Sequence, residues 1–246
     1  MSEIAYLALF LAFIVALFSI LASVIGARRG QPELVASARN GMYAICGLVV
    51  LASIILLYAF LRSDFSLEYV ASYSSREMPA VYRAAAFYGG QAGSLLFWTL
   101  WLAVSGAIVV AQSWKRHRAM IPYVMAVVLA TQAFFLLLMV FITNPFEKMA
   151  FQPVNGQGLN PLLKNPGMII HPPTLLIGYA GFTIPFAFAI AALITRRLGD
   201  EWVISIRRWT LVAWLLLGLG NLAGGWWAYR ILGWGGMWGW DPVENA

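Results

Sequence analysis

The chain is short of charge and shorter still of cysteine and histidine. Only 11% of its 246 residues are charged, sixteen basic against ten acidic, and it holds one cysteine and two histidines. The single thiol, Cys46, lies within an apolar run, which excludes a disulfide, a cysteine zinc site and a CxxC redox pair. So little charge beside 61% hydrophobic residues excludes a soluble domain, in which about half the residues are apolar. The formal charge of +6 is no nucleic-acid signal, because the basic residues sit in short loops between apolar runs. No serine or threonine has a histidine partner in the sequence that would mark it as a nucleophile. There is no internal repeat and no low-complexity tail.

What the chain does have is long apolar runs. About 20 helical residues cross 30 Å of hydrocarbon, and only a helix or a closed barrel satisfies its own backbone there. The runs fall at about Ile4–Ala27, Gly41–Leu61, Ser94–Gln112, Met120–Thr143, Thr174–Thr195 and Trp209–Gly225. They predict an all-α polytopic membrane bundle of about six transmembrane helices in a single domain. The first run has no basic residues before it and no convincing cleavage site, so it reads as a retained span. Gly89, Gly90, Gly93 and Gly106 should weaken or bend the third.

Loop charge sets the expected orientation. The first, third and fifth loops hold Arg28, Arg29, Arg39, Lys115, Arg116, Arg118, Arg196, Arg197, Arg207 and Arg208, ten of the sixteen basic residues. Those loops are therefore expected to be cytoplasmic, with the N-terminus, the second and fourth loops and the C-terminal stretch outside. In the second loop, Phe65, Leu67, Tyr69 and Ala71 alternate with polar residues, as an extended surface segment would, and a Pro79-led turn should follow. In the fourth, Asn144-Pro145 stops a span, and Asn155-Gly156 and Asn165-Pro166-Gly167 are turn formers.

The histidines differ in setting. His117, within Trp114-Lys-Arg-His-Arg118, reads as a solvated residue of a basic cluster. His171 is locked before Pro172 and Pro173, which suit the first turn of a helix, so it is expected at the outer mouth of the fifth span. The positive end of that helix would keep its ring neutral, with a lone pair free for a metal.

The last 21 residues, 226–246, carry Trp226, Trp227, Trp234, Trp238 and Trp240 among glycines, including Gly235 and Gly236, and run into Asp241-Pro242-Val243-Glu244. Tryptophans gather at membrane interfaces, but a belt needs neither the glycines nor the acidic exit. Glycines let backbone approach a ligand closely and indoles supply rigid faces, which suits a planar aromatic macrocycle. Asp241, Pro242 and Glu244 also form a helix-start signal of cap, N1 proline and capping-box acid, so the acidic residues read as structural parts of the motif. A helix announced at Pro242 with the sequence stopping at Ala246 suggests a split or truncated protein.

The spacing WGGMWGWDPVEN resembles the tryptophan-rich WWD signature of the cytochrome c assembly family of membrane haem-handling proteins. Asn144-Pro-Phe146, Gly158-Leu-Asn-Pro-Leu-Leu163, His171-Pro-Pro-Thr-Leu-Leu-Ile-Gly-Tyr179, Pro185-Phe-Ala-Phe-Ala189 and Gly93-Ser-Leu-Leu-Phe-Trp98 resemble the N-terminal third of its CcmF-type haem lyase branch. Gln91 and Ala92 depart from the His-Glu of many relatives.

The resemblance implies an integral protein of a bacterial cytoplasmic (inner) membrane or its organellar equivalent, serving cytochrome c-type biogenesis. It implies b-type, non-covalent haem at an outward-facing surface of Trp226, Trp227, Trp234, Trp238 and Trp240, with His171 on the iron and Arg230 as a candidate for a propionate. The reaction implied is thioether attachment to the CxxCH thiols of apocytochrome c, so the nucleophile belongs to the substrate. Implied partners are apocytochrome c, a haem chaperone, other cytochrome c maturation membrane proteins, the lipid bilayer and the remainder of a split or truncated CcmF-like protein. Further family histidines would lie beyond Ala246. A haem carrier without ligation activity and a structural membrane subunit are the alternatives.

Overall fold

The structure, a computed structural model, describes residues 1–232 and 236–237. Among them the chain is helical throughout. Eight α-helices run α1 Ser2–Arg29, α2 Pro32–Arg62, α3 Glu68–Tyr73, α4 Ala80–Ala85, α5 Gln91–Ser113, α6 Ile121–Phe141, α7 Pro166–Thr195 and α8 Glu201–Trp227. A π-helical turn, Ala228–Leu232, extends α8. Six of these helices, α1, α2 and α5–α8, are long and apolar enough to cross a membrane, as the hydropathy of the sequence requires. The only β feature among the described residues is one isolated antiparallel bridge, Leu67 with Lys148.

Small residues decide how the spans meet. One face of α1 carries Ala5, Ala8, Ala12, Ala16, Ser19, Ala22 and Ser23, all buried, while Ile4, Leu7, Leu11, Phe18 and Leu21 are exposed. In lipid, exposed leucines gain nothing by pairing, and close backbone approach across small side chains drives association. Polar cross-links then fix neighbours: Ser23 Oγ donates to Pro122 O at 2.6 Å, and Gln132 Nε2 donates to Thr99 O at 3.2 Å. Gly30, at φ 64°, lets α1 turn into α2 through two residues.

The third span is unbroken. Gly90 caps α5, and its glycines serve close packing instead of bending. A Cβ on Gly90 or Gly93 would collide with Tyr73 or Tyr69 respectively, and one on Gly106 would lie 2.9 Å from Met42 Cε.

The second loop differs from the sequence expectation. Its extended surface segment is instead the short helix α3, with Phe65, Leu67, Tyr69, Val70 and Ala71 buried. The Pro79-led turn is present as α4. Alternation misled because the fourth loop lies over the second and buries both kinds of position. Glu68 N donates to Glu147 O at 3.0 Å, Met149 N to Ser66 O at 2.9 Å and Gln157 N to Ala71 O at 2.8 Å. Asn155 locks the two together: its Oδ1 accepts from Arg76 N at 3.0 Å and its Nδ2 donates to the Glu77 carboxylate at 2.9 Å. Lys148 ties this cap to the start of α1 through Glu3 at 2.6 Å. Tyr69 Oη accepts from Gly90 N at 2.9 Å and donates to Phe87 O at 3.1 Å, and burial pushes its phenol pKa up.

His117 also departs from expectation. It is 8% exposed, edge-on to Phe188, with Nε2 2.8 Å from Ser205 Oγ. The Ser205 hydroxyl spends its proton on Glu201 O at 2.9 Å, so His117 Nε2–H is the donor. The basic neighbours suggested solvation, but the ends of α7 and α8 close over the ring. Burial, reinforced by the Arg116 charge, holds its pKa below the ordinary histidine value.

Candidate functional site

The candidate site lies where α7 and α8 run antiparallel with their backbones in contact. A Cβ on Gly178 would lie 2.7 Å from Leu217 N, one on Gly220 2.8 Å from Leu175 N, and one on Gly224 2.6 Å from His171 Cε1. The spacing Gly220-x-x-x-Gly224 puts two of these glycines on one face of α8.

Helix α7 starts at Pro166, capped by Asn165 Oδ1 accepting from Gly167 N at 2.7 Å. His171 is thus within the helix rather than before its first turn, and Pro172 and Pro173 are internal. Pro172 and Pro173 lack the N–H groups that would otherwise reach Met168 O and Ile169 O in the helical ladder. Thr174 Oγ1 bonds Ile170 O at 2.7 Å and His171 O at 3.0 Å.

The imidazole is held across the pair. His171 Nδ1 lies 2.8 Å from Gly220 O. A carbonyl only accepts, so Nδ1 carries the proton, and Nε2 is the nitrogen that holds the lone pair in that tautomer. A backbone carbonyl on the far nitrogen is the usual orienting partner of a metal-binding histidine. His171 meets the Trp227 ring edge-on, centroids 5.8 Å apart.

The two described tryptophans of the motif have separate surroundings. Trp227 is buried against Ala85 and Met168, with Tyr88 and Leu163 packed alongside. A Cβ on Gly167 would lie 2.8 Å from Trp227 Cγ. Its Nε1 is enclosed without a hydrogen-bond partner among the described residues. Trp226 is 41% exposed and carries the Arg230 guanidinium 5.4 Å above its ring. Consecutive residues on α8 diverge by about 100°, so these two indoles do not share one plane. Met237 lies against α8, its carbonyl oxygen 3.0 Å from the place of a Gly225 Cβ. Gly236 is among the described residues, whereas Trp234, Gly235, Trp238, Trp240, Asp241, Pro242 and Glu244 lie outside them.

His171, Trp227 and the packed second and fourth loops therefore gather at one end of the bundle. The ten basic residues of the odd-numbered loops lie at or near the opposite end. Ala85, Tyr88, Leu163 and Met168, which seat Trp227, were not singled out by the sequence. They come from two stretches, 85–88 and 163–168, far apart in the chain.

Fold and site together define a polytopic helical membrane protein that presents an imidazole and indoles at one end of its bundle. The chain belongs to the Cytochrome C assembly protein family, which it matches over residues 88–246. It is 44% identical to the cytochrome c-type biogenesis protein CcmF of Pseudomonas aeruginosa over 99% of this chain and 37% of that protein. It is 41% identical to the cytochrome c-type biogenesis protein ccl1 of Rhodobacter capsulatus, over 99% and 37%. A solved structure of the cytochrome c haem lyase CcmF superposes with a TM-score of 0.86 at 31% identity, over 99% of this chain and 39% of that one. The chain spans little more than a third of the length of these relatives. The CcmF-type resemblance read from the motifs is borne out.

Proposed function

We propose that this chain serves cytochrome c-type biogenesis by holding b-type haem, non-covalently, and presenting it to apocytochrome c as part of a haem lyase. One observation carries the reading: the Nδ1 contact to Gly220 O fixes the His171 tautomer, so that Nε2 is the nitrogen available to a metal. Imidazole of this kind is a usual axial ligand of haem iron. The residues fit the group in two further respects. Trp227 Nε1 is an enclosed donor without a partner among the described residues, and Arg230 is an exposed cation held beside an indole.

In this reading haem is the substrate, supplying the iron and the vinyl carbons. His171 Nε2 would take the iron from one side and Arg230 a propionate. Trp226 would flank the macrocycle, with Trp234, Trp238 and Trp240 completing the aromatic surface. Trp227 would brace the imidazole from behind. Thioether formation adds each cysteine S–H across a vinyl group, the sulfur to one carbon and the hydrogen to the other. The chain needs no nucleophile of its own, because the thiols of the CxxCH motif bring it. Its contribution is orientation, worth about 7–11 kcal/mol in well-placed intramolecular reactions.

The basic end would face the cytoplasm by the positive-inside rule and the His171 end the periplasm, across a bacterial inner membrane. A haem chaperone and other maturation membrane proteins would be partners beside apocytochrome c. The test is an apocytochrome with both CxxCH cysteines replaced by serine, offered to the haem-loaded protein in its assembled complex. Ligation predicts a stalled complex that keeps its haem; release of haem to the serine variant at the normal rate would identify a carrier.

A further inference from the structure

A cavity of about 730 Å3 lies at the basic end of the bundle, far from His171. It forms where the C-terminal ends of α1, α5 and α7 meet the N-terminal ends of α2 and α6. Gly26, Pro32, Trp114, Arg118, Tyr123 and Thr195 are among its walls. Its volume is that of a small-molecule site. A Cβ on Gly26 would lie 2.9 Å from Val35 Cγ2, so α1 and α2 cross too closely there for a side chain, whereas nothing lies within 4 Å of a Cβ on Gly30. Ser23 bonded to Pro122 O pins α6 to α1 as a further wall.

We propose that this cavity is a binding site for the head group of an anionic phospholipid. Charge argues for it. The loops and helix ends on this side hold ten basic residues against three acidic ones, Glu33, Asp200 and Glu201. Arg118 is exposed and makes no ion pair among the described residues. The Arg39 guanidinium sits 4.4 Å from the centroid of the Trp114 ring that lines the cavity, and its Nε is enclosed without a partner among the described residues.

Position argues for a lipid over a soluble anion. The cavity lies at the ends of five helices, the level where Trp and Tyr settle between hydrocarbon and water. Val35, Ala119, Ile121 and Pro122 make much of its wall apolar. A free phosphate would leave that wall wet, whereas a phosphodiester with its glycerol covers it and passes its acyl chains into the bilayer. An ordinary aromatic belt accounts for Trp114 and Tyr123 but not for a concave space beside them. Basic pockets between spans on the cytoplasmic side recognise anionic head groups in this way.

Native mass spectrometry of the full chain, released from micelles with phosphatidylglycerol or phosphatidylcholine, tests the proposal. The expected result is preferential retention of one phosphatidylglycerol. Arg118→Gln should weaken it about fivefold, the effect of one basic residue near an anionic surface. Ala119→Trp fills the space with every charge kept and should abolish the preference. Arg208→Gln, at the same end but off the cavity, should leave it intact. Circular dichroism checks that each variant is folded, and the Ala119 variant decides the matter should Arg118→Gln fail to fold. Equal retention of both lipids, or a preference that survives Ala119→Trp, would overturn the proposal. So would inorganic phosphate protecting the protein against heat as well as phosphatidylglycerol does.

Discussion

His171 on α7 and Gly220 on α8 are joined by a 2.8 Å hydrogen bond from ring nitrogen to backbone carbonyl. The pairing depends on Gly224 one turn further on, whose missing side chain leaves room for the ring. Gly224→Ala would place a methyl 2.6 Å from His171 Cε1 and 2.8 Å from Nδ1. Overpacking of this kind costs about 1–3 kcal/mol, and here the imidazole must turn or α8 must shift. The expected outcome is a lower unfolding temperature together with an altered spectrum of bound haem. Gly218→Ala, with nothing within 4 Å of the new methyl, should change neither.

The two adjacent tryptophans should separate by phenotype. Trp227 fills the space between Gly167, Met168 and Ala85, so Trp227→Ala should cost about 3–5 kcal/mol, as large-to-small core changes do. Trp226 is 41% exposed, and Trp226→Ala should stay within about 0.5 kcal/mol while weakening haem retention. Thermal unfolding and haem titration of both variants give the comparison.

Asn155 holds the outer cap together, and Asn155→Ala should loosen it. The change removes the bonds to Arg76 N and to the Glu77 carboxylate. Amide exchange at Gln157 and Gly158, which pair with Ala71 and Ser74, should accelerate while the spans stay protected. The Asn155 amide keeps the Glu77 pKa below its ordinary 4.5. A carboxylate with a lowered folded pKa adds stability above its unfolded value, and that stability is lost as pH falls through the folded one. The acid sensitivity of the cap should therefore shrink in Asn155→Ala.

His117 gives a pH dependence at the other end of the bundle. Its folded pKa lies below the ordinary 6.5, so below that pH the unfolded chain binds the extra proton and the folded chain resists it. Its contribution to stability is full above 6.5 and declines as pH falls toward the folded value. Unfolding temperature measured between pH 7.5 and 5 should drop more steeply in the native chain than in His117→Gln.

These residues also mark what could be read in advance. The six spans were legible because hydrocarbon imposes length and apolarity on each segment by itself. The entry into α7 was not: Pro172 and Pro173 read as a helix start, but Asn165 supplies a cap further upstream. His171 and Trp227 were singled out by residue type, yet their contact rests on glycines whose role appears only when α8 lies against α7. The burial of His117 and of the second loop depends on partners about 80 residues away in the chain. Local alternation and local charge carry no trace of such neighbours.

The central claim is that His171 Nε2 takes haem iron at the end of the bundle shared with Trp227. The most direct measurement is the visible spectrum of the purified chain titrated with haem, native against His171→Ala, with unfolding followed in parallel. The account predicts a Soret band in the native chain that weakens or shifts in the variant while the helices remain folded. Identical spectra and identical haem affinity in the two proteins would contradict it.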